Sequence, residues 1–171
     1  MTKRAVEPLR GAQVRLRLLE AGDLPLTREW RNQDHIRRWF FHSDPIEAEQ
    51  HEAWFRRYSE KDDDFVFVIE ETRELRRPVG QVSIYDVDWA AGRAEYGRLM
   101  IGDPAAAGRG IAREATAVVL DWALGPLGLR EVYLEVMADN APALSIYRAC
   151  GFGETGREGT AVRMSKTRET T

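Results

Sequence analysis

Short segments of the chain either alternate apolar and polar residues or consist of an apolar run bounded by turn residues, and both patterns predict β-strands. In the first segment, Val14, Leu16 and Leu18 alternate with polar residues and define a strand that is buried on one face. Seven such segments occur, at residues 14–18, 65–69, 79–87, 94–101 and 132–137 and, as two short strands, around Phe152 and Val162. A central sheet of about seven strands is therefore expected, with a hairpin formed by its second and third strands.

Between the strands, apolar residues recur three and four positions apart, which is the spacing of one helix face. Two short helices are predicted within residues 22–40. A third is expected to begin at Ser43-Asp44-Pro45, because Asp caps free amides and proline is tolerated in the first turn. Further helices are predicted over residues 111–124 and 141–150. The order strand, long helix, strand predicts a βαβ unit in which the fourth and fifth strands are parallel.

The length of 171 residues suits one domain, and a content of 43% hydrophobic and 31% charged residues is typical of a chain that folds around a core. We expect a single domain over residues 13–166, preceded by a flexible leader at 1–12 and followed by a C-terminal tail at 167–171. No apolar run approaches the ~20 residues of a membrane-spanning helix. The expected protein is therefore cytoplasmic and has no membrane partner.

Charge and cysteine content exclude two further classes of function. The formal net charge is −3 and acidic and basic residues are interleaved, so the broad basic face that nucleic-acid binding requires is not expected. A metal site is not expected either, because the single Cys150 and the three histidines do not have the spacing of metal ligands. The sequence leaves the oligomeric state open and is compatible with a homodimer.

A run of small residues, which includes Gly108 and Gly110, lies between the fourth strand and the long helix. Free amides at a helix N-terminus bind a pyrophosphate well, and glycine removes the side chains that would keep the ligand away. The alternative is that the two glycines only form a tight turn from strand to helix. Their spacing matches neither the Rossmann motif nor the P-loop, so a dinucleotide or ATP site is disfavoured.

A second motif follows the fifth strand. Asn140 stands at the strand end, Ala143 and Tyr147 lie four residues apart on the next helix, and Gly151-Phe152 closes it. Together with residues 108–112, this motif resembles the paired acetyl-CoA motifs of the GNAT superfamily of N-acetyltransferases. The resemblance covers residues 14–164, because the order of strands and helices is also similar.

The resemblance implies an α/β fold of the GNAT acyl-CoA N-acyltransferase type, with a mixed central sheet, flanking helices, and splayed parallel strands four and five. It also implies acetyl-CoA as the cofactor, with the pantetheine arm bonded to the backbone in the wedge between these strands. The implied cofactor-binding residues are Leu99, Met100, Ile101, Ala107, Gly108, Arg109, Gly110, Ile111, Ala112, Asn140 and Tyr147. The family's pyrophosphate loop begins with Gln or Arg three positions before its first glycine, where this chain has Ala105. This difference removes one side-chain contact but leaves the loop amides, so cofactor binding is still expected.

Acetyl transfer to an amine requires a base for the amine and a proton for the departing thiolate. By resemblance Tyr147 is the general acid, a phenol with an ordinary pKa near 10; a core tyrosine packed on the sheet is the alternative. Glu95 on the fourth strand is the candidate base, and a solvated or structurally bonded carboxylate is the alternative. Glu135 is the next candidate, and His42 and His51 can act only if the helix after residue 45 folds over the cleft.

The N-terminal helices form the acceptor side in this superfamily. The predicted acceptor contacts are Trp30, Arg31, Asn32, Trp39, Phe41, His42 and, from the third strand, Tyr85. The pattern resembles the branch that contains acetyltransferases of nucleotide-linked amino-sugars, aminoglycoside 6′-N-acetyltransferases and ribosomal-protein N-terminal acetyltransferases. Aromatic rings can stack on a sugar and arginines can pair with a diphosphate; alternatively the tryptophans are core and the arginines solvated.

The predicted function is therefore acetyl transfer to a primary amine of a small molecule, with an amino-sugar as the favoured acceptor. A protein N-terminal acetyltransferase and a non-catalytic acyl-CoA sensor are the alternatives.

Overall fold

The computed structural model of the chain describes residues 2–169. The strands are β1 (Leu9–Arg10), β2 (Val14–Leu18), β3 (Phe65–Glu71), β4 (Arg77–Asp88), β5 (Arg93–Ile101), β6 (Glu131–Met137), β7 (Gly153–Glu158) and β8 (Ala161–Thr167). The helices are α1 (Leu24–Asn32), α2 (Asp34–Arg37), α3 (Ala48–Ser59), α4 (Ile111–Leu124) and α5 (Ala141–Ala149). Two single 3-10 turns, Ala21–Asp23 and Pro104–Ala106, precede α1 and follow β5.

The strands form one mixed sheet in the order β1-β2-β3-β4-β5-β6-β8-β7. All neighbours are antiparallel except β5 and β6, which are the parallel pair that the βαβ pattern predicts. The sheet has eight strands where about seven were expected, because Leu9–Arg10 adds a two-residue strand beside β2. The predicted GNAT-type architecture is confirmed.

The parallel pair separates soon after it begins. Only three residues of β5 pair with β6, and the last of them is Glu95, opposite Tyr133. Beyond this point no described strand lies beside the edge of β5 that faces β6. The predicted splay is confirmed, and it leaves backbone groups of β5 available to a ligand.

The sheet is covered on both faces. On one face, Trp122 of α4 packs edge-on against Phe65 and Phe67, with ring centroids 5.5 and 5.1 Å apart. On the other face, Val66 and Val68 pack with residues from α1 and α3. Successive residues of β3 point to opposite faces, and both faces are covered. The strand is therefore buried on both sides, which explains its continuous apolar run. No helix among residues 2–169 is long and apolar enough to cross a membrane.

Two segments differ from the sequence-based expectation. Helix α3 begins at Ala48, behind a capping box of Glu47 and Gln50, and not at Ser43-Asp44-Pro45. The chain just before it is extended, because the Asn32 side chain bonds both the amide and the carbonyl of Ile46.

Residues 1–12, expected as a leader, contact the domain where they are described. Leu9–Arg10 pairs with β2, and the Arg4 guanidinium bonds both carboxylate oxygens of Asp62. At the other end β8 reaches Thr167, the first residue of the expected tail, while residues 1, 170 and 171 lie outside the described part of the chain. The limits of the domain stay a prediction.

Candidate active site

The splay between β5 and β6 opens a cavity of 360 Å³. The structure brings nine of the predicted site residues to its wall. They are the two catalytic candidates Glu95 and Tyr147, two candidate cofactor contacts, Leu99 and Asn140, and five candidate acceptor contacts, Arg31, Trp39, Phe41, His42 and Tyr85. Residues that are more than 100 positions apart in sequence therefore meet at one site, where the parallel strands end their pairing.

A second cavity of 600 Å³ lies at the N-terminus of α4. Seven of the candidate cofactor residues line it: Ile101, Ala107, Gly108, Arg109, Gly110, Ile111 and Ala112. Gly108 and Gly110 both have φ of +74°, and no atom lies within 4 Å of where a Cβ would stand on either. The loop thus presents bare backbone to open space, in front of the free amides and positive dipole end of a helix of 14 residues. These residues fit the pyrophosphate of a CoA molecule.

The side chains of two candidate cofactor residues are engaged within the protein. The side chain of Met100 is buried against Trp30 and Ile36. The Arg109 guanidinium is bound to the Ala105 carbonyl and to the Glu74 carboxylate. Asn140, in turn, caps α5 by accepting a hydrogen bond from an amide of its first turn, so its place at the cavity wall is fixed by the helix that it begins.

Tyr147 projects from α5 into the cleft and is 8% exposed. Its ring packs edge-on against Tyr96 and Phe152, with centroids 5.5 and 5.9 Å away. Burial and the neighbouring Cys150 raise the pKa of Tyr147 well above its ordinary value. The expectation of an ordinary pKa near 10 is therefore corrected: the hydroxyl stays protonated throughout the neutral range and is a hydrogen-bond donor to developing negative charge.

Glu95 is half-buried on β5, at the last residue that pairs with β6. The Tyr85 hydroxyl donates a hydrogen bond to a carboxylate oxygen of Glu95 at 2.5 Å. Burial raises the pKa of Glu95, and the bond from Tyr85 opposes this shift only in part. A carboxylate whose pKa is moved toward neutrality is suited to accept a proton from an amine.

Arg98 and Asp64 support the Tyr85 ring, and the sequence did not point to either. The Arg98 guanidinium bonds both carboxylate oxygens of Asp64, at 2.8 and 3.2 Å, and lies 4.1 Å from the centre of the Tyr85 ring. Arg98 has φ of +54° next to a bulge in the pairing of β4 with β5, which turns its side chain out of the strand's regular alternation. Gly97 leaves room for the Tyr85 side chain, since a Cβ on Gly97 would stand 3.0 Å from the Tyr85 hydroxyl.

Tyr85→Phe is expected to move the acidic limb of the kcat/KM pH profile to higher pH. The substitution removes the hydrogen bond that lowers the pKa of Glu95, so Glu95 stays protonated, and inactive as a base, up to a higher pH. The profile is measured by thiol release from acetyl-CoA. Tyr133→Phe is the matched control, because Tyr133 lies opposite Glu95 on β6 and the structure shows no bond between them. Equal profiles for the wild type and Tyr85→Phe would remove Glu95 from the role of base.

Two predicted acceptor contacts and one candidate base lie elsewhere. Trp30 is 4% exposed and packs with Ile36 and Met100, and Asn32 holds the segment before α3, so both are corrected to structural residues. Neighbouring positions on α1 point about 100° apart, and only Arg31 reaches the cavity. His51 stacks on Trp54 and faces Thr27 at 3.2 Å, because α3 does not fold over the cleft.

Gly102→Ala is expected to lower the free energy of unfolding by about 3 kcal/mol. A Cβ at Gly102 would stand 1.9 Å from Cγ of Trp30, so the indole has to leave its place in the core. Gly22→Ala is the control, since a Cβ there meets nothing within 4 Å. Chemical denaturation of the two variants measures the difference, and equal stability would contradict the packing of Trp30 described above.

Comparison with known proteins indicates an acetyltransferase, in agreement with the resemblance seen in the sequence. The family model of the acetyltransferase (GNAT) domain matches residues 13–153. Spermidine N(1)-acetyltransferase of Vibrio cholerae is 29% identical over 146 residues, which cover 85% of this chain and 82% of that protein. N-alpha-acetyltransferase RimI of Mycobacterium tuberculosis is 44% identical over 63 residues, 37% of each chain. The crystal structure of spermidine N-acetyltransferase from V. cholerae in complex with CoA and spermine has a TM-score of 0.83 at 27% identity, and covers 92% of this chain and 97% of that chain.

These relatives confirm the predicted superfamily and correct the predicted emphasis on its amino-sugar and aminoglycoside branch. By name they act on a polyamine or on an α-amino group, and not on the amino-sugars and aminoglycosides that the sequence-based prediction favoured. The chain belongs to the GNAT family of acetyltransferases, as an acyltransferase that uses acetyl-CoA.

Proposed function

We propose that the chain transfers the acetyl group of acetyl-CoA to a primary amine of a small molecule in the cavity between β5 and β6. One observation carries this proposal. The cavity where the strands separate is lined by both Glu95 and Tyr147. Glu95 is a half-buried carboxylate with a raised pKa, and Tyr147 is a buried phenol that stays protonated. A carboxylate that can accept a proton and a phenol that keeps its proton are the two groups that acetyl transfer requires.

The residues of the chain have separate tasks in this proposal. The amides of residues 108–112 hold the pyrophosphate, and the free edge of β5 aligns the pantetheine arm. Acetyl-CoA, when bound, supplies the acetyl group as a thioester. Glu95 takes a proton from the ammonium group of the acceptor, directly or through water, and leaves a neutral amine. Tyr147 donates a hydrogen bond to the sulfur as the C–N bond forms and the C–S bond breaks, and the proton that the nitrogen then loses passes to the departing thiolate, so that CoA leaves as the free thiol.

The finer proposal for the acceptor is an amino-sugar. Trp39 and Phe41 at the cavity wall supply ring faces for a sugar, and Arg31 supplies a cation for an anionic substituent. Phe41 is 53% exposed, as expected of a side chain that contacts a ligand and not the core. A polyamine is the second candidate, and the names of the spermidine acetyltransferase relatives support it.

Release of free thiol from acetyl-CoA across a panel of amines tests the proposal. The panel contains nucleotide-linked amino-sugars, aminoglycosides, polyamines, amino acids and peptide N-termini, and mass spectrometry identifies the acetylated product. We expect release with a small-molecule amine. Release with peptides alone would support the protein N-terminal alternative. Binding of acetyl-CoA without release from any amine would overturn the proposal in favour of a sensor.

A further inference from the structure

The guanidinium of Arg31 lies at the cavity wall, and no acidic side chain in the described part of the chain pairs with it. Arg31 is 8% exposed, and one terminal nitrogen donates to the His42 carbonyl. The other terminal nitrogen is buried and has no hydrogen-bond partner within residues 2–169. Burial and the nearby Arg37 lower the pKa of Arg31, and no carboxylate opposes the shift. Arg31 is therefore a desolvated cation that no described residue neutralises.

The other charges around the cavity have partners. Arg98 is paired with Asp64, and Glu135 accepts a bond from Arg163 at 3.1 Å. Glu95 is held by Tyr85. An unpaired buried cation is costly, and a charged hydrogen bond to a ligand recovers much of that cost. Arg31 is thus the cavity cation with the most to gain from a bound anion.

We propose that Arg31 binds an anionic group of the acceptor, a phosphate or a carboxylate, so that the acceptor is an amine that also carries negative charge. The inference rests on the proposed function, because the amine has to reach Glu95 in the same cavity. The Phe40 ring, 4.3 Å from the guanidinium, and the His42 carbonyl keep the side chain in place for this contact. A free polyamine carries only positive charge, which Arg31 repels.

Two other roles for Arg31 make different predictions. If Arg31 only fastens the segment of Phe40 and His42, its loss lowers stability and affects all acceptors equally. If it binds a phosphate of CoA, its loss raises KM for acetyl-CoA. If Arg31 instead recognises an anionic acceptor, its loss changes the ratio of kcat/KM between a charged amine and its uncharged counterpart. Neither of the other two roles predicts that change.

The experiment compares kcat/KM for matched amines in the full-length protein. Glucosamine 6-phosphate against glucosamine tests a phosphate, 4-aminobutanoate against 4-aminobutanamide tests a carboxylate, and spermidine is the cationic reference. We expect the wild type to favour the anionic member of at least one pair by about tenfold or more. Arg31→Gln should abolish this preference and Arg31→Lys should retain part of it. Arg38→Gln, which removes an exposed arginine that lies over Trp39, should leave it unchanged.

Several results would overturn the inference. They are equal rates for both members of each pair, a preference for spermidine, or an Arg31→Gln variant that folds and changes only KM for acetyl-CoA. In each of these cases the proposed transferase function stands. If no amine is acetylated, the transferase proposal fails, and calorimetric binding of glucosamine 6-phosphate and 4-aminobutanoate to the CoA complex then decides the inference. Binding that Arg31→Gln abolishes supports it, and the absence of binding contradicts it.

Discussion

Glu95→Gln is expected to lower kcat by about 10²–10⁴-fold at neutral pH. The amide has the shape of the carboxylate and an oxygen that still accepts the Tyr85 hydrogen bond, but it cannot take a proton from the acceptor. The loss should shrink as the pH approaches the pKa of the free amine, because the solvent then supplies the neutral nucleophile. Thiol release at saturating acetyl-CoA and amine, followed across pH, measures both effects.

Glu135→Gln is the matched control for this prediction. Glu135 also lines the cavity, yet it is solvent-exposed and paired with Arg163, so its neutralisation should change kcat by no more than about threefold. A large loss in Glu135→Gln together with an active Glu95→Gln would transfer the role of base to Glu135.

Tyr147→Phe is expected to lower kcat by about 100-fold and to leave the affinity for CoA within about twofold. Phenylalanine preserves the edge-on packing against Tyr96 and Phe152, so the cavity keeps its shape and only the donor to the sulfur is lost. Steady-state thiol release gives kcat, and calorimetry with CoA gives the affinity.

Tyr96→Phe serves as the control, because its hydroxyl bonds Thr116 at 2.8 Å inside the core. This variant should lose stability while it retains kcat, since the lost bond is structural. Normal turnover in Tyr147→Phe would remove Tyr147 from the reaction.

The architecture follows closely from the hydrophobic pattern. Helix α4 occupies the predicted residues 111–124, because its apolar side chains recur at helical spacing between the glycine turn and Gly125. The parallel pair follows from the βαβ order, and its splay from the resemblance to GNAT proteins. Local spacing and a pair of motifs were therefore enough to predict the fold and the place of the cleft.

The details of the site depend on contacts that local patterns do not contain. Trp30, Arg31 and Asn32 are consecutive, and only the packing of α1 on the sheet determines which of them faces the cavity. The support of Tyr85 by Arg98 depends on a bulge and on a partner, Asp64, that is 34 residues away. The raised pKa of Tyr147 arises from burial, which requires the whole fold.

The position of the CoA sulfur in a crystal structure of the complex tests the account most directly. We predict the pyrophosphate on the amides of residues 108–112 and the sulfur in the cavity between β5 and β6, within hydrogen-bond distance of the Tyr147 hydroxyl. A sulfur outside this cavity, or a Tyr147 hydroxyl turned away from it, would contradict the assignment of the active site.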